Sequence, residues 1–162
     1  MLLRSLFFRH SLGVAILSAA VFILAVGFWP AVESQSARSV TLTVHVTGAR
    51  NVKGKIRAAL FESANGFPND ASQAIQRQSA DIDPRSLRAQ IVFPDLREGV
   101  YAVAVFHDEN MNQQLDKNLF GVPKEGYGAS NNPKKKMGPP GFGEAKFQLN
   151  EQAQTVEIKL MY

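Results

Sequence analysis

The sequence predicts an all-β domain, a sandwich of about six or seven antiparallel strands with one long loop. Several short segments alternate apolar and polar residues with a period of two, which is typical of half-buried strands. Other short segments are apolar on both faces, as the central strands of packed sheets are. Glycine and polar residues separate these segments, and little of the chain has helical periodicity.

The first 36 residues have the pattern of an export signal. A basic head precedes the segment 11–29, which contains no charged residue. Pro30 and a run of small residues follow it, as a cleavage region requires, so the mature domain is expected to cover 37–162. Because the apolar run is about as long as the ~20 residues that span a bilayer, an uncleaved N-terminal anchor is the alternative.

Both alternatives place the domain outside the cytoplasm, in the periplasm or the extracellular space, because the positive charge precedes the apolar run. Contact with the membrane is then expected only through residues 11–29. The chain has no cysteine, so a disulfide framework and thiolate chemistry are excluded. Without the signal, the formal net charge of +4 falls by one unit and forms no basic stripe, so nucleic acid is not an expected partner.

The first two predicted strands lie on either side of a loop with two glycines. Residues 40–46 alternate cleanly, with Val40, Leu42, Val44 and Val46 on one face. Residues 55–61 are apolar on parts of both faces, and we predict that the two strands pair as an antiparallel hairpin. Further on, Asp70 followed by Gln73 resembles a helix start, which predicts a short helical segment within 71–77.

Four more strands follow in the second half of the chain. Residues 87–93 alternate, and residues 100–107 are apolar on both faces, which indicates a central strand. Residues 144–149 and 154–162 both alternate across a short polar connection. We therefore predict a second hairpin at the C-terminus.

A corner between two strands is indicated by the spacing Phe93-x-x-Leu96-x-x-Gly99-x-Tyr101. Leu96 is expected to fill the corner, and Gly99 to take the positive φ of a tight turn. The Tyr101 hydroxyl is expected to bond back to the backbone across the corner. This spacing resembles a signature of prealbumin-like sandwiches, such as the B-type repeats of bacterial surface adhesins. The resemblance implies an Ig-like or prealbumin-like sandwich.

Three segments carry a closer resemblance: "NGFP" at 65–68, the stretch 93–132, and "GPPGFGEAKF" at 138–147. Together they resemble the bacterial family called domain of unknown function 2141, and the likeness covers nearly all of the mature chain. Its most specific part is Tyr-Ala-Val-x-x-x-His-Asp-x-Asn-x-Asn, which begins at Tyr101. The resemblance implies an exported bacterial β-sandwich and no established activity.

The long loop 108–143 begins with a pattern of oxygen ligands in the order D-x-N-x-N-x-x-x-D. The candidate ligands are Asp108, Asn110, Asn112, Asp116 and the backbone carbonyl of Gln114. Alternate oxygens of this kind form the front half of an EF-hand-type calcium loop. The usual turn glycine is Gln113 here, and the bidentate glutamate is replaced by Leu119. The pattern therefore predicts either a weak calcium site or a series of turns capped by Asp and Asn side chains.

Other residues in and beside the loop are candidates for ligand binding. They are His107, Tyr127, Asn131, Asn132 and Phe142. A glycine-flanked tyrosine such as Tyr127 can stack on a ligand or fasten a loop, and the loop aromatics, including Phe120, are expected to form a small core of the loop. His107 is expected either to hold the loop by hydrogen bonds or to act as a ligand or base.

These patterns favour a non-catalytic binding module of the bacterial envelope, with an envelope ligand or protein as its partner. The sequence has no G-x-S-x-G or S-x-x-K nucleophile motif and no G-x-G-x-x-G loop for a nucleotide. One alternative is a structural domain stabilised by calcium. A second alternative is a hydrolase that uses His107 and Asp108.

Overall fold

The computed structural model describes residues 39–134, 138–150 and 153–162, so the predicted export signal lies outside the described residues. The strands are β1 (Val40–Thr47), β2 (Lys55–Phe61), β3 (Gln76–Ala80), β4 (Ala89–Leu96), β5 (Gly99–Asp108), β6 (Tyr127–Ala129), β7 (Phe147–Leu149) and β8 (Gln154–Lys159). A single 3₁₀ turn covers Ala71–Gln73, and a short helix, α1, covers Phe142–Ala145. Within the described ranges, no helix has the length and hydropathy needed to cross a membrane.

The strands form two sheets, and the predicted all-β sandwich is confirmed. One sheet has the order β4-β1-β8, and the other has the order β3-β2-β5-β6, with β7 also paired to β5. The pairing of β1 with β8 is parallel, whereas the other strand pairs are antiparallel. The antiparallel prediction therefore holds except for this one pair.

The core lies between the two sheets and is built by alternate residues of β1 and β4 and by buried residues of β2, β5, β7 and β8. The predicted apolar face of β1 is buried, and it packs in the same cluster as buried residues of β2 and β5. Phe93 of β4, Leu149 of β7 and Ile158 of β8 have no exposed surface. Burying these side chains removes apolar area from water, which is the main favourable term in folding.

Both predicted hairpins are wrong, because the two strands of each predicted hairpin lie in different sheets. β1 pairs with β4 and β8, whereas β2 pairs with β3 and β5. In the same way β7 pairs with β5, and β8 crosses back to β1. Alternation identifies the buried face of a strand, but it does not say which strand lies beside it.

The predicted helical segment within 71–77 is only partly present. Asp70 does begin a 3₁₀ turn, and its Oδ1 accepts a hydrogen bond of 3.0 Å from Ser72 N. The turn ends at Gln73, and the edge strand β3 begins at Gln76. Because β3 is polar and mostly exposed, its sequence has no apolar alternation that would predict a strand.

The corner before β5 is confirmed at Tyr101 and corrected at Gly99. The Tyr101 hydroxyl donates a hydrogen bond of 2.9 Å to the carbonyl of Arg97. The positive φ in this corner belongs to Asp95, not to Gly99. A Cβ at Gly99 would lie 3.3 Å from the Tyr101 ring, so the glycine makes room for that ring.

Candidate functional site

The candidate site lies where β5 ends, because two loops meet there. β5 ends at Asp108, the loop 109–126 follows it, and the loop 48–54 reaches the same end. Gly54 has a φ of +67°, and a Cβ there would lie 1.8 Å from the carbonyl oxygen of Asp108. Only glycine allows the two chain segments to approach this closely.

His107 is fully buried and uses both ring nitrogens. Its Nε2 lies 2.7 Å from the carbonyl oxygen of Lys53, and because a carbonyl only accepts, Nε2 carries the proton. Nδ1 then accepts from the Tyr162 hydroxyl, at 2.8 Å, and that hydroxyl accepts in turn from Arg50 N at 3.0 Å. The imidazole therefore ties the loop 48–54 and Tyr162 to β5.

Arg50 and Glu109 extend this network toward the surface. The Arg50 guanidinium lies 4.6 Å from the Tyr162 ring centroid, in a cation–π contact. Its Nη2 also forms an ion pair with Glu109 Oε1, at 2.6 Å. Asn51 Nδ2 donates to Glu109 Oε2 at 3.0 Å. Burial raises the pKa of Glu109, but Asn51 and Arg50 outweigh it and hold that pKa below its usual range.

Asp108 is fully buried and is held by β2 and by its own loop. Its Oδ2 accepts from Arg57 Nε and, at 3.0 Å, from Gln113 N. Its Oδ1 is also buried and has no hydrogen-bond partner within the described part of the chain. The ion pair with Arg57 offsets the cost of burying the carboxylate. The Oδ1 atom of Asp108 can still accept a hydrogen bond or bind a ligand.

The other predicted calcium ligands form a chain of turns beside Asp108. Asp116 accepts from Asn110 Nδ2 at 2.8 Å and from Asn112 Nδ2 at 3.0 Å. The Oδ1 atoms of these two asparagines accept from the backbone N–H groups of Asn112 and Gln114. Among the described residues, no three His, Cys, Asp or Glu side chains form a metal-binding group.

Residues 116–124 form a hairpin-like projection, which we call the finger. Its base is closed by a hydrogen bond of 2.8 Å from Lys124 N to the carbonyl of Asp116 and by a β-bridge between Lys117 and Pro123. The buried carboxylate of Glu125 accepts from Asp116 N at 3.0 Å and from Glu109 N at 2.9 Å. The base of the finger is thereby fixed to the end of β5.

The turn at the end of the finger is organised by Asn118. Asn118 N donates to the carbonyl of Val122 at 2.8 Å, and Asn118 Oδ1 accepts from Phe120 N at 2.9 Å and from Val122 N at 3.0 Å. Gly121 supplies the positive φ, +77°, that closes the turn. The backbone of the turn is therefore set by its own hydrogen bonds.

The side chains of this turn are apolar and uncovered. Leu119 is 101% exposed, Phe120 91% and Val122 55%, and Met111 beside the finger is 48% exposed. The expectation that Phe120 belongs to a small loop core is wrong, because the turn projects away from the sandwich. We call Leu119, Phe120 and Val122 the tip.

Tyr127 and Asn132 lie together at a different place, a shallow cavity of about 140 Å³. Tyr127 exchanges backbone hydrogen bonds with Met161. Asn132 Nδ2 donates to the carbonyl of Glu157 at 2.9 Å, and Asn132 Oδ1 accepts from Lys159 N at 2.7 Å. These contacts join the end of the long loop to the edge of β8.

Asn131 and Phe142 are neither in this cavity nor at the end of β5. Asn131 Nδ2 donates to the carbonyl of Lys146 at 2.8 Å. The Phe142 ring packs edge to face on Phe67, with 5.9 Å between centroids, beside the buried Ala102. The structure therefore distributes the predicted binding residues over three regions of the domain.

The sequence profile of the family described as "Uncharacterized protein conserved in bacteria (DUF2141)" matches residues 44–157. The chain belongs to this family. The match covers the finger and runs from β1 to β8, so the membership expected from the sequence is confirmed. A search of curated proteins found no match.

The finger of this DUF2141 chain is not among the binding candidates predicted from the sequence. The signal in the sequence is "NLFGV", an apolar pair between the turn residues Asn118 and Gly121. An apolar residue at the end of such a projection has no sheet face to cover it. Such a pair within a turn therefore predicts exposed apolar side chains.

Proposed function

We propose that this DUF2141 chain is an exported, non-catalytic binding module of the bacterial envelope, with the finger as its binding element. The observation that carries the proposal is the contrast within the finger. Its backbone is fixed by Asn118 and Glu125, yet Leu119 and Phe120 are almost entirely exposed. Exposed apolar groups of this kind, gathered on one projection, are typical of an interaction site.

The hydrogen bonds within the finger support the same function. A loop that is ordered before it binds loses less conformational entropy when it meets its partner. The tip side chains bury little area in the free domain, so they add little to its stability. Their apolar area is available for a partner instead.

The test is the accessibility of a thiol at the tip in the envelope. The chain has no cysteine, so Phe120→Cys introduces a single thiol, and Val100→Cys introduces a control thiol on β5 at the end away from the finger. A polar maleimide should label the Phe120→Cys variant several-fold more slowly in an envelope fraction than in buffer. The Val100→Cys variant should show no such difference. Equal labelling of the Phe120→Cys variant in both media would overturn the proposal.

A calcium-stabilised structural domain is the second candidate, favoured by the partnerless Oδ1 of Asp108. A cation bound beside this oxygen would draw on Asp116 and the neighbouring asparagines, whose amide groups would have to turn their oxygens inward. Millimolar calcium should then raise the melting temperature, and Asp116→Asn should abolish the increase. An unchanged melting temperature would exclude this candidate.

A hydrolase that uses His107 and Asp108 has less support. Both nitrogens of His107 are already hydrogen-bonded, and both side chains are fully buried. A general base must reach the proton that it removes, either directly or through one water. Neither residue lines the cavity beside Tyr127.

A further inference from the structure

We propose that the finger binds the surface of an anionic lipid bilayer, with the tip inserted at the level of the headgroups. This inference rests on the proposed function and names a lipid bilayer as the partner of the finger. It adds a membrane contact to the one expected from the sequence through residues 11–29. The apolar side chains of the tip are suited to the boundary between headgroups and acyl chains, where amphipathic elements insert about 5–10 Å. The partner is therefore a lipid surface that carries negative charge.

The charged residues around the tip favour an anionic lipid surface as the partner. Lys117 and Lys124 lie on opposite sides of the finger, and both are exposed. Every acidic residue between 108 and 126 is buried or half-buried and accepts hydrogen bonds from the protein: Asp108, Glu109, Asp116 and Glu125. The exposed charges of the finger are thus positive only, and they lie just behind its apolar tip.

The neighbouring loop 48–54 adds positive charge near the finger. Lys53 of the loop 48–54 is exposed, and Arg50 Nη2 lies 3.3 Å from the carbonyl of Lys124. The charge of Arg50 is largely offset by Glu109, but Lys53 has no acidic neighbour within the described loop 48–54. Lysines near an anionic membrane attract it additively, and salt screens the attraction.

The size of the tip favours a bilayer over a folded protein partner. A stable protein interface buries about 800 Å² on each partner, and lysine is depleted at its centre. The tip offers three apolar side chains on a narrow turn, with lysines immediately behind them. Such a surface is too small and too cationic for that kind of interface, whereas insertion into lipid needs only a few apolar groups.

The test uses an environment-sensitive fluorophore on the full chain. Phe120→Cys and Val100→Cys are each labelled and mixed with vesicles of pure phosphatidylcholine or of phosphatidylcholine with phosphatidylglycerol. We expect a blue shift and increased emission only for the label at position 120, only with the anionic vesicles, and less at high salt. The two labels share the same residues 11–29, so the comparison is independent of any insertion by that segment.

Matched charge variants complete the test. On the labelled Phe120→Cys background, Lys117→Gln with Lys124→Gln should weaken binding to anionic vesicles by about tenfold or more. Lys146→Gln with Lys159→Gln, two exposed lysines outside the finger, should leave it unchanged. Equal losses in the two pairs would overturn the proposed site, because they would show an effect of net charge alone.

The outcomes separate this inference from the proposed function. If the Phe120→Cys thiol is protected in the envelope fraction but its label stays in water with every vesicle, the lipid inference fails and the finger binds a protein or glycan. If the thiol is not protected either, both proposals fail. A response to neutral and anionic vesicles alike overturns the electrostatic part of the inference.

Discussion

His107 and Tyr162 show how single polar groups hold the end of the sandwich together. One hydroxyl accepts from Arg50 N and donates to His107 Nδ1, and the opposite ring nitrogen of His107 donates to Lys53. Gly126 is part of the same arrangement, because a Cβ there would lie 2.5 Å from the Tyr162 ring. The network holds the loop 48–54 at the end of β5, and Arg50 of that loop contacts Lys124 of the finger.

Removal of the Tyr162 hydroxyl should therefore destabilise the domain. Tyr162→Phe leaves the buried Nδ1 of His107 without a donor, and an unsatisfied buried group of this kind costs about 1–3 kcal/mol. Urea unfolding should show the loss as a lower midpoint with an unchanged slope. Tyr127→Phe, which removes a hydroxyl outside this network, is the matched control and should change little.

Glu109 should make part of the stability depend on pH. Its pKa is raised by burial but held below its usual range overall by Asn51 and Arg50. A carboxyl group with a lowered folded-state pKa stabilises the fold above its unfolded pKa, and that stabilisation is lost as the pH falls through the folded pKa.

Glu109→Gln should lower the melting temperature at pH 7 by an amount that shrinks as the pH falls below the folded pKa of Glu109. Because Arg50 is partly exposed, the difference at pH 7 should be no more than about 1 kcal/mol. Melting temperatures of the two proteins across this pH range check the prediction. Glu98→Gln, at an exposed position, is the control. If the melting temperatures of native and Glu109→Gln protein differ by the same amount at every pH, the prediction is contradicted.

At the scale of elements, the finger combines a hydrogen-bonded backbone with exposed apolar side chains. Its turn is fixed by Asn118, and its base by Glu125. Asn118→Ala removes the acceptor of two backbone N–H groups while leaving the core untouched. Hydrogen exchange at the amides of Phe120 and Val122 should then accelerate, whereas amides of β5 should keep their protection.

The tip should be dispensable for folding. Leu119→Ser with Phe120→Ser changes two exposed side chains, so the free energy of unfolding should stay within about 0.5 kcal/mol of the native value. Phe93→Ala, in the core, should lower it by about 3–5 kcal/mol in the same thermal or urea assay. A large loss in the tip variant would mean that the tip packs against the domain.

At the scale of the whole molecule, each sheet of the sandwich has a central strand that pairs with strands far away in sequence. β1 is the centre of one sheet and pairs with both β4 and β8, and β5 has the central role in the other. The end of the long loop links the sheets, because Asn132 bonds to the backbone of β8 and Ser130 bonds to β5. This arrangement leaves the finger free to project from one end.

The sequence could predict the elements that have an apolar face. The predictions that one face of β1 is buried and that β5 is buried on both faces are confirmed, because burial imposes those sequence patterns. The polar edge strand β3 has no apolar alternation, so it could not be predicted. The apolar patterns also do not encode which strand pairs with which, so the strand order could not be predicted. At the site, the Asx pattern of 108–116 was visible, but the burial of Asp108 against Arg57 depends on a strand 51 positions away.

The central claim is that the apolar side chains of the tip bind the envelope. The most direct measurement is maleimide labelling of Val122→Cys in an envelope fraction, with the native tip and with Leu119→Ser and Phe120→Ser added. We expect slow labelling with the native tip and labelling as fast as in buffer with the serine tip. Fast labelling of both, or slow labelling of both, would contradict the claim.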